Sequence, residues 1–240
     1  QFVQAGYEVL SDLNDALIDM SDYGIPQIRK RIIIVGFNKR IYGKNCRKML
    51  EAFYKEKLPV YKVKDKLTVR DAIADLPKLY PLDEPIKYGR RKLSHSLPNP
   101  FINGHISRFH SKRDIELFKL LEEDIESGER KFTNTDALKE LYTKLTGKVS
   151  NVHKYYVLRW DEQSNLIPAH LYKDGLRHIH PDSEQARTIT VREAARLQTF
   201  PDEYIFNSSQ TDAYKMIGNA VPPLFAKKVA LALSDIIENK

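Results

Sequence analysis

The chain has a single cysteine, Cys46, among 240 residues, which excludes an internal disulfide framework and any multi-cysteine zinc site and fits a reducing compartment. No apolar run approaches the ~20 residues that a membrane-spanning helix needs, and no charged segment followed by an apolar one opens the chain. A cytoplasmic protein is expected. The first residue is Gln1 rather than Met, so the expectation is of a piece trimmed or excised from something longer. Acidic residues are missing from one stretch: between Pro85 and Arg113 there is no Asp or Glu, while Lys87, Arg90, Arg91, Lys92, Arg108, Lys112 and Arg113 supply seven positive charges. Those seven of the 39 basic residues equal the net charge of +7, so the remainder of the chain balances the 32 acidic ones. A local surplus of this kind suggests a polyanionic partner, although many basic proteins bind no nucleic acid.

What is present is the composition of a folded, soluble protein, 42% hydrophobic and 10% aromatic, long enough for one large core or two modest ones. YEVLSDL (7–13) reads as a short strand and RIIIVGF (31–37) as a β-branched run buried in a sheet, the two as neighbours. From Asn38 onward the pattern is of short helices. Thr68 with Asp71, Ser111 with Asp114 and Thr190 with Glu193 each show the hydroxyl-then-acid spacing of a helix start. The first of these helices should end at Pro77, the second run through Ile115, Phe118, Leu121 and Ile125 to a stop at Gly128, and the third stop before Pro201. A further helix is expected over about 136–145. A last one follows Pro222 and Pro223, with Phe225, Val229, Leu233 and Ile236 or Ile237 at helical spacing. The TVR shared by residues 68–70 and 190–192 reflects common capping chemistry, since the flanks differ. Five prolines, Pro77, Pro81, Pro85, Pro98 and Pro100, predict that 76–109 is mostly loop and turn, which would set the basic stretch on irregular backbone.

On the residues alone, Arg29 and Arg31 are the polar flank of a strand, and Gly218 to Val221 a turn or the start of a helix. Arg187, Arg192, Glu193, Arg196 and Gln198 read as a scaffold of ion pairs and hydrogen bonds, with no catalytic part. Three longer segments change the weighting. DYGIPQIRKRIIIVGF (22–37), RTITVREAARLQTFPDEY (187–204) and IGNAVPPLFAKKVALAL (217–233) resemble, in order, the eighth, ninth and tenth motifs of the DNA cytosine-5 methyltransferases. The resemblance covers about a third of the chain directly, and the intervening residues lie where this family carries its variable target-recognition domain. The family's Gly-rich cofactor loop, Pro-Cys nucleophile and Glu-Asn-Val segment precede the eighth motif and are not in this sequence. Cys46 follows Asn45 rather than proline and reads as a surface or domain-boundary cysteine.

The resemblance implies an α/β fold: the C-terminal part of a doubly wound S-adenosylmethionine-dependent methyltransferase fold, with a smaller mixed recognition domain. Residues 1–41 would be the last strands of the catalytic domain, 42–205 the recognition domain including the ninth motif, and 206–240 a return to the catalytic domain. Methylating cytosine C5 needs a thiolate at C6, an acid near N3 and a methyl donor near C5, on a base flipped out of the duplex. By resemblance Arg31 would donate to the cytosine O2 and Arg29 brace the site or a phosphate. Asn219, Ala220 and Val221 would shape the S-adenosylmethionine pocket, bound mainly by the missing N-terminal half. The partners implied are double-stranded DNA and that N-terminal half, without which this chain would be inactive. An apolar docking surface would favour self-association of the isolated chain. WDEQSNLIPAHLYKDGLRHIHP (160–181) departs from the family in lacking Thr near Leu166; Lys173 and Arg177 are its candidate DNA contacts, alongside the seven basic residues above. His170, His178 and His180 have no carboxylate or cysteine at metal spacing, so no metal is expected. A non-catalytic DNA-binding remnant and an RNA-directed relative are the competing readings.

Overall fold

The computed structural model describes residues 1–149 and 155–238. It is mixed α/β, with every strand in a two-stranded antiparallel pair. Tyr7–Glu8 (β1) pairs with Phe37–Asn38 (β4), Leu17–Asp19 (β2) with Lys30–Ile32 (β3), and Pro81–Tyr88 (β5) with Arg91–His95 (β6). The helices are a single turn at Lys39–Tyr42 (α1), then Cys46–Ala52 (α2), Val69–Ile73 (α3), Lys112–Glu126 (α4), Thr135–Thr146 (α5), Val191–Leu197 (α6), Gln210–Asn219 (α7) and Pro223–Glu238 (α8). Thr68 and Thr190 make full capping boxes with Asp71 and Glu193, and the Ser111 side chain accepts from the Asp114 amide. Each satisfies amides that the first turn leaves without partners. The expected stops also hold, with Gly128 and Gly147 in left-handed backbone just after α4 and α5.

Three apolar clusters hold the elements together. Ile18, Met20, Tyr23 and Ile25 pack with Phe37, with Met49 and Leu50 of α2, with Phe53 and Leu58 beyond it, and with Phe225, Ala232 and Ile236 of α8. Val69 and Ile73 of α3 meet Ile167, Leu171, α6 and the Ala213–Tyr214–Ile217 face of α7 in the second. In the third, Leu117, Phe118 and Leu121 of α4 cover Leu138 and Leu141 of α5. Cys46 is buried in the first cluster, not at the surface. Residues 46–58 therefore share a core with 18–37 and α8, and the packing does not divide at residue 41.

Three local expectations are corrected. RIIIVGF does not form one buried strand: only Arg31, Ile32 and Phe37 lie in β3 and β4, and Ile32 and Ile34 stay 52% and 43% exposed. The pairing explains this, since β3 has β2 as its ladder neighbour and Leu17, directly opposite Ile32, is 53% exposed as well. YEVLSDL shortens to β1, followed by a 3-10 turn from Leu13. The proline-rich stretch is a hairpin, β5–β6, because Pro81 sits at the first strand position and Pro85 inside the irregular register between Pro81 and Ile86, where a missing N–H costs no ladder bond. No doubly wound parallel sheet is present among the described residues. No helix there is long and apolar enough to cross a membrane.

Glu122 on α4 is fully buried, and both carboxyl oxygens lack a hydrogen-bond partner among the described residues. Burial, reinforced by Glu126 and Asp182 against the opposing pull of Arg187, pushes its pKa up to about 10. The folded protein thus keeps a proton that the unfolded chain releases near pH 4.5, so this group's contribution is intact below that pH and is lost as pH rises toward 10. Glu122→Gln removes the titration. Relative to the wild type, its urea-unfolding free energy should rise between pH 5 and pH 8 by on the order of 2–4 kcal/mol; parallel stability curves would refute the buried neutral acid.

Candidate active site and nucleic-acid interface

The three motif-like segments meet through one glutamine. Gln27 is fully buried. Its Nε2 donates to the Leu197 carbonyl at 2.9 Å and to the Gln198 side-chain oxygen, and its Oε1 accepts from the Ile167 amide at 3.1 Å. Gln198 in turn donates from Nε2 to the carbonyls of Ile217 (3.1 Å) and Ala220 (2.8 Å). Backbone bonds from Ile28 to Ser164 and from Ser164 to Pro26 tie the same stretch to residues 163–167. Two residues on, buried Arg29 donates to the Ala220 carbonyl at 3.1 Å, and at longer range to Ile167 and Gly218. Burial first, and the neighbouring Arg31 charge second, lower the Arg29 pKa. Its Nε has no partner. Arg31 is exposed, and among the described residues its guanidinium bonds only the Lys30 carbonyl, at 2.8 Å. Asn219 and Val221 are exposed, and the Asn219 amide has no partner among the described residues, whereas the Ala220 carbonyl is taken by Arg29 and Gln198.

The ninth-motif residues form the expected scaffold. Arg187 and Glu193, both buried, make a bidentate pair at 2.7 and 2.8 Å. Gln185 accepts from Arg187, and Glu193 also takes the Thr190 amide at 2.6 Å. Burial alone would raise the Glu193 pKa, but the charge and hydrogen bonds of Arg187, with His180 and His105, together hold it well below the usual carboxylate range. Such a pair survives desolvation only when its remaining donors and acceptors are occupied. Arg192 spends its guanidinium on the carbonyls of Asn103, Pro201 and Tyr204. His105, unnoticed in the sequence, is buried between the Thr190 hydroxyl (3.0 Å) and the Pro77 carbonyl (2.8 Å). Its signal was available in a histidine flanked by glycine and isoleucine.

The basic residues divide. Lys87, Arg90, Arg91 and Lys92 lie at the end of the β5–β6 hairpin, all exposed. Lys112 pairs with Glu84 and Arg113 with Asp114, both at 3.0 Å. Arg108 is internal cement: its guanidinium donates to the Leu171 (2.6 Å) and Tyr172 (3.1 Å) carbonyls and lies 4.3 Å from the Tyr214 ring. Lys173 and Arg177 are exposed, and Arg177 borders a hollow of about 450 Å³ with Asn165, Leu166, His170 and His178. Burial pulls the His178 pKa down to about 4, so it is neutral there, and its Nε2 has no partner among the described residues.

The buried junction thus joins the three segments that resemble methyltransferase motifs within a mixed α/β chain. A solved structure assigned as a DNA modification methyltransferase encoded within an Escherichia coli prophage matches with a TM-score of 0.60 at 25% identity, over 98% of this chain and 62% of that one. The chain belongs to the C-5 cytosine-specific DNA methylase family, whose model matches residues 1–235. It is 35% identical to the type II methyltransferase M.Bpa9945I of Bacillus paralicheniformis, covering 98% of this chain and 55% of the relative. It is 28% identical to the type II methyltransferase M.AgeI of Thalassovita gelatinovora, covering 89% of this chain and 63% of that protein. The chain therefore spans little more than half of the length of these relatives. The methyl donor of the family is S-adenosylmethionine.

Gly218, in the tenth motif, admits α7 to the Pro168–Ala169 peptide. A Cβ there would fall 2.4 Å from the Ala169 nitrogen and from the Pro168 carbonyl atoms, all of them backbone. Gly218→Ala should cost at least ~1–3 kcal/mol, the range for forcing atoms into a packed interior. A urea melt checks this, and an unchanged midpoint would mean that the two backbones are not in contact.

Proposed function

We propose that this chain is the DNA-recognising, active-site-completing half of a DNA cytosine-5 methyltransferase of a restriction-modification system, acting with an N-terminal half that carries the Gly-rich, Pro-Cys and Glu-Asn-Val segments. The observation that supports it most is the buried Gln27–Gln198–Ala220 junction, which holds the three motif-like segments against one another. In this reading Arg29 is a positioning residue that fixes the Ala220 carbonyl and so the backbone on either side of it. Arg31, exposed and always charged, offers its fixed fork of donors to the O2 of a flipped cytosine. The unpartnered Asn219 amide beside the exposed Val221 side chain fits one wall of a cofactor pocket, with a polar and an apolar contact to offer. Ala220 contributes backbone position alone. When bound, S-adenosylmethionine supplies the methyl group.

The first apolar cluster, residues 18–58 with α8, would adjoin the N-terminal half and complete its doubly wound sheet. The half-exposed Leu17, Ile28, Ile32 and Ile34 are the apolar surface such docking would cover. The remainder to about residue 205, with Lys173, Arg177 and the basic hairpin, would face the DNA.

Methyl transfer from labelled S-adenosylmethionine to duplex DNA should be absent with this chain alone, because Cys46 is buried and preceded by asparagine. It should appear on mixing with an N-terminal half of a two-chain or divided relative. Activity from the chain alone, kept in Cys46→Ala, contradicts the reading. In the mixed enzyme Arg31→Ala should lower kcat by at least ~10-fold with a smaller change in DNA affinity, since its contact forms only after the base is flipped; Arg31→Lys should rescue it in part. Sedimentation should show the isolated chain self-associating, and mixing with the N-terminal half should dissolve those oligomers into a heterodimer.

A further inference from the structure

The hairpin β5–β6 carries four cations on its distal part and nothing to neutralise them. Tyr88 pairs with Arg91 across a two-residue turn, Gly89–Arg90, in which Gly89 has φ +58°, a backbone that favours glycine. One step down, Lys87 stands directly opposite Lys92. Like charges directly opposite in a ladder repel. Neither they nor Arg90 and Arg91 make an ion pair among the described residues, and Lys92 has only the Phe109 ring, 5.4 Å from its ammonium. At the other end of the hairpin, by contrast, Glu84 pairs with Lys112.

That other end is rigid. Leu93, Ser94 and His95 are buried. The Ser94 hydroxyl accepts from the His110 amide at 2.9 Å, and His95 bonds the Gln185 carbonyl at 2.8 Å, which joins the hairpin root to the Arg187–Glu193 scaffold. The register is irregular between Pro81 and Ile86, and irregularities of this kind bend a strand locally. The ribbon from Ile86 to Lys92 is exposed along its length, with Ile86 and Tyr88 at 42% and 38%, and Tyr88 and Arg91 border a hollow of about 230 Å³ shared with Phe101, Asn103 and Phe206.

We propose that this ribbon is the element that enters the major groove of B-form DNA, with Lys87 and Lys92 on backbone phosphates and Arg90 and Arg91 at base edges. The inference rests on the reading of the chain as part of a DNA methyltransferase. The dimensions favour it: the three steps from Ile86 to Gly89 reach ~10 Å at ~3.3 Å per residue, and the major groove is ~8.5 Å deep and ~12 Å wide, admitting a two-stranded ribbon. An A-form RNA duplex does not, because its major groove is too narrow for side chains to read. The register assigns the roles. Lys87 and Lys92 share one face set back from the turn, where the groove walls are, while Arg90 is in the turn and Arg91 next to it, closest to the groove floor. Arginine at that point offers the bidentate fork that reads guanine.

The test uses the intact chain and short random-sequence duplexes, read by fluorescence anisotropy across a salt series, with bound duplexes then selected and sequenced. Lys87→Ala with Lys92→Ala should flatten the log-affinity against log-salt slope by about two units and leave the selected sequence unchanged. Arg90→Ala with Arg91→Ala should instead lower the preference for the selected duplex over the pool by roughly 5- to 150-fold. Lys44→Ala with Lys48→Ala, an equal loss of exposed charge elsewhere, should change neither. Unchanged slope and selection in both hairpin variants would overturn the proposal, as would equal affinity for an RNA duplex of the selected sequence. Methyl transfer by the mixed halves stays a separate readout, so a hairpin facing away from the DNA is distinguishable from a chain that is no methyltransferase component.

Discussion

Everything near the candidate site hangs on the side-chain amide of Gln27. A fully buried amide left without partners costs more than a made hydrogen bond returns, so its surroundings must supply acceptors for its two N–H donors and a donor for its oxygen. They do so from segments about 140 and 170 residues away in sequence, Ile167 and Leu197–Gln198. Gln198 passes the requirement on to Ile217 and Ala220. Because Ile167, Leu197, Gln198 and Ile217 are fully buried, none of them can turn to water if another shifts, and only Ala220 lies partly open. The junction therefore fixes the relative positions of Arg29, Arg31 and the Asn219–Val221 turn more tightly than apolar contacts would, which can slide.

Arginine plays two opposite parts in this chain, and burial sorts them. Arg29, Arg108, Arg187 and Arg192 give their donors to backbone carbonyls or to Gln185 and Glu193. These carbonyls belong to loops and helix ends, where no ladder takes them. A guanidinium, with five donors in a plane and no accessible neutral form, closes several such groups at once. Arg90, Arg91 and Arg177 are exposed and have no such work among the described residues, and exposed Arg31 reaches only the carbonyl of its own neighbour, Lys30. A formal charge of +7 gives no hint of this division.

Local chemistry was legible in the sequence and long-range chemistry was not. Thr68, Ser111 and Thr190 could be read because a cap and its acid are three residues apart and act alone. The resemblance of three segments located the junction, but not that Gln27 is its centre, since its partners are distant. The hairpin was missed because its prolines were counted as breakers, although first-strand and irregular-register positions tolerate them. Helix α7 was missed despite Ser209 and Asp212, the same hydroxyl-then-acid pattern recognised elsewhere. A charge count groups Arg108 with the candidate DNA contacts because it cannot distinguish a solvated guanidinium from one bonded to Leu171 and Tyr172. The β-branched run 31–37 read as buried because hydrophobicity reports what a strand could cover, not whether a neighbour is there to cover it.

The buried polar contacts also continue beyond the junction. Gln198 closes α6, whose first turn carries Glu193; Glu193 holds Arg187, Arg187 holds Gln185, and the Gln185 backbone holds His95 at the root of the hairpin. Each link is a hydrogen bond among groups almost wholly withdrawn from water, where the cost of an unmade bond is highest. On the proposed reading, the residues that would contact bases and those that would meet the flipped cytosine are thus mounted on one stiff piece. A base read by the hairpin would then sit at a fixed offset from the base presented to Arg31. A loop-mounted reader, free to move relative to Gln27, could not hold that offset, which makes the rooted hairpin the better-suited of the two for choosing one cytosine in a sequence.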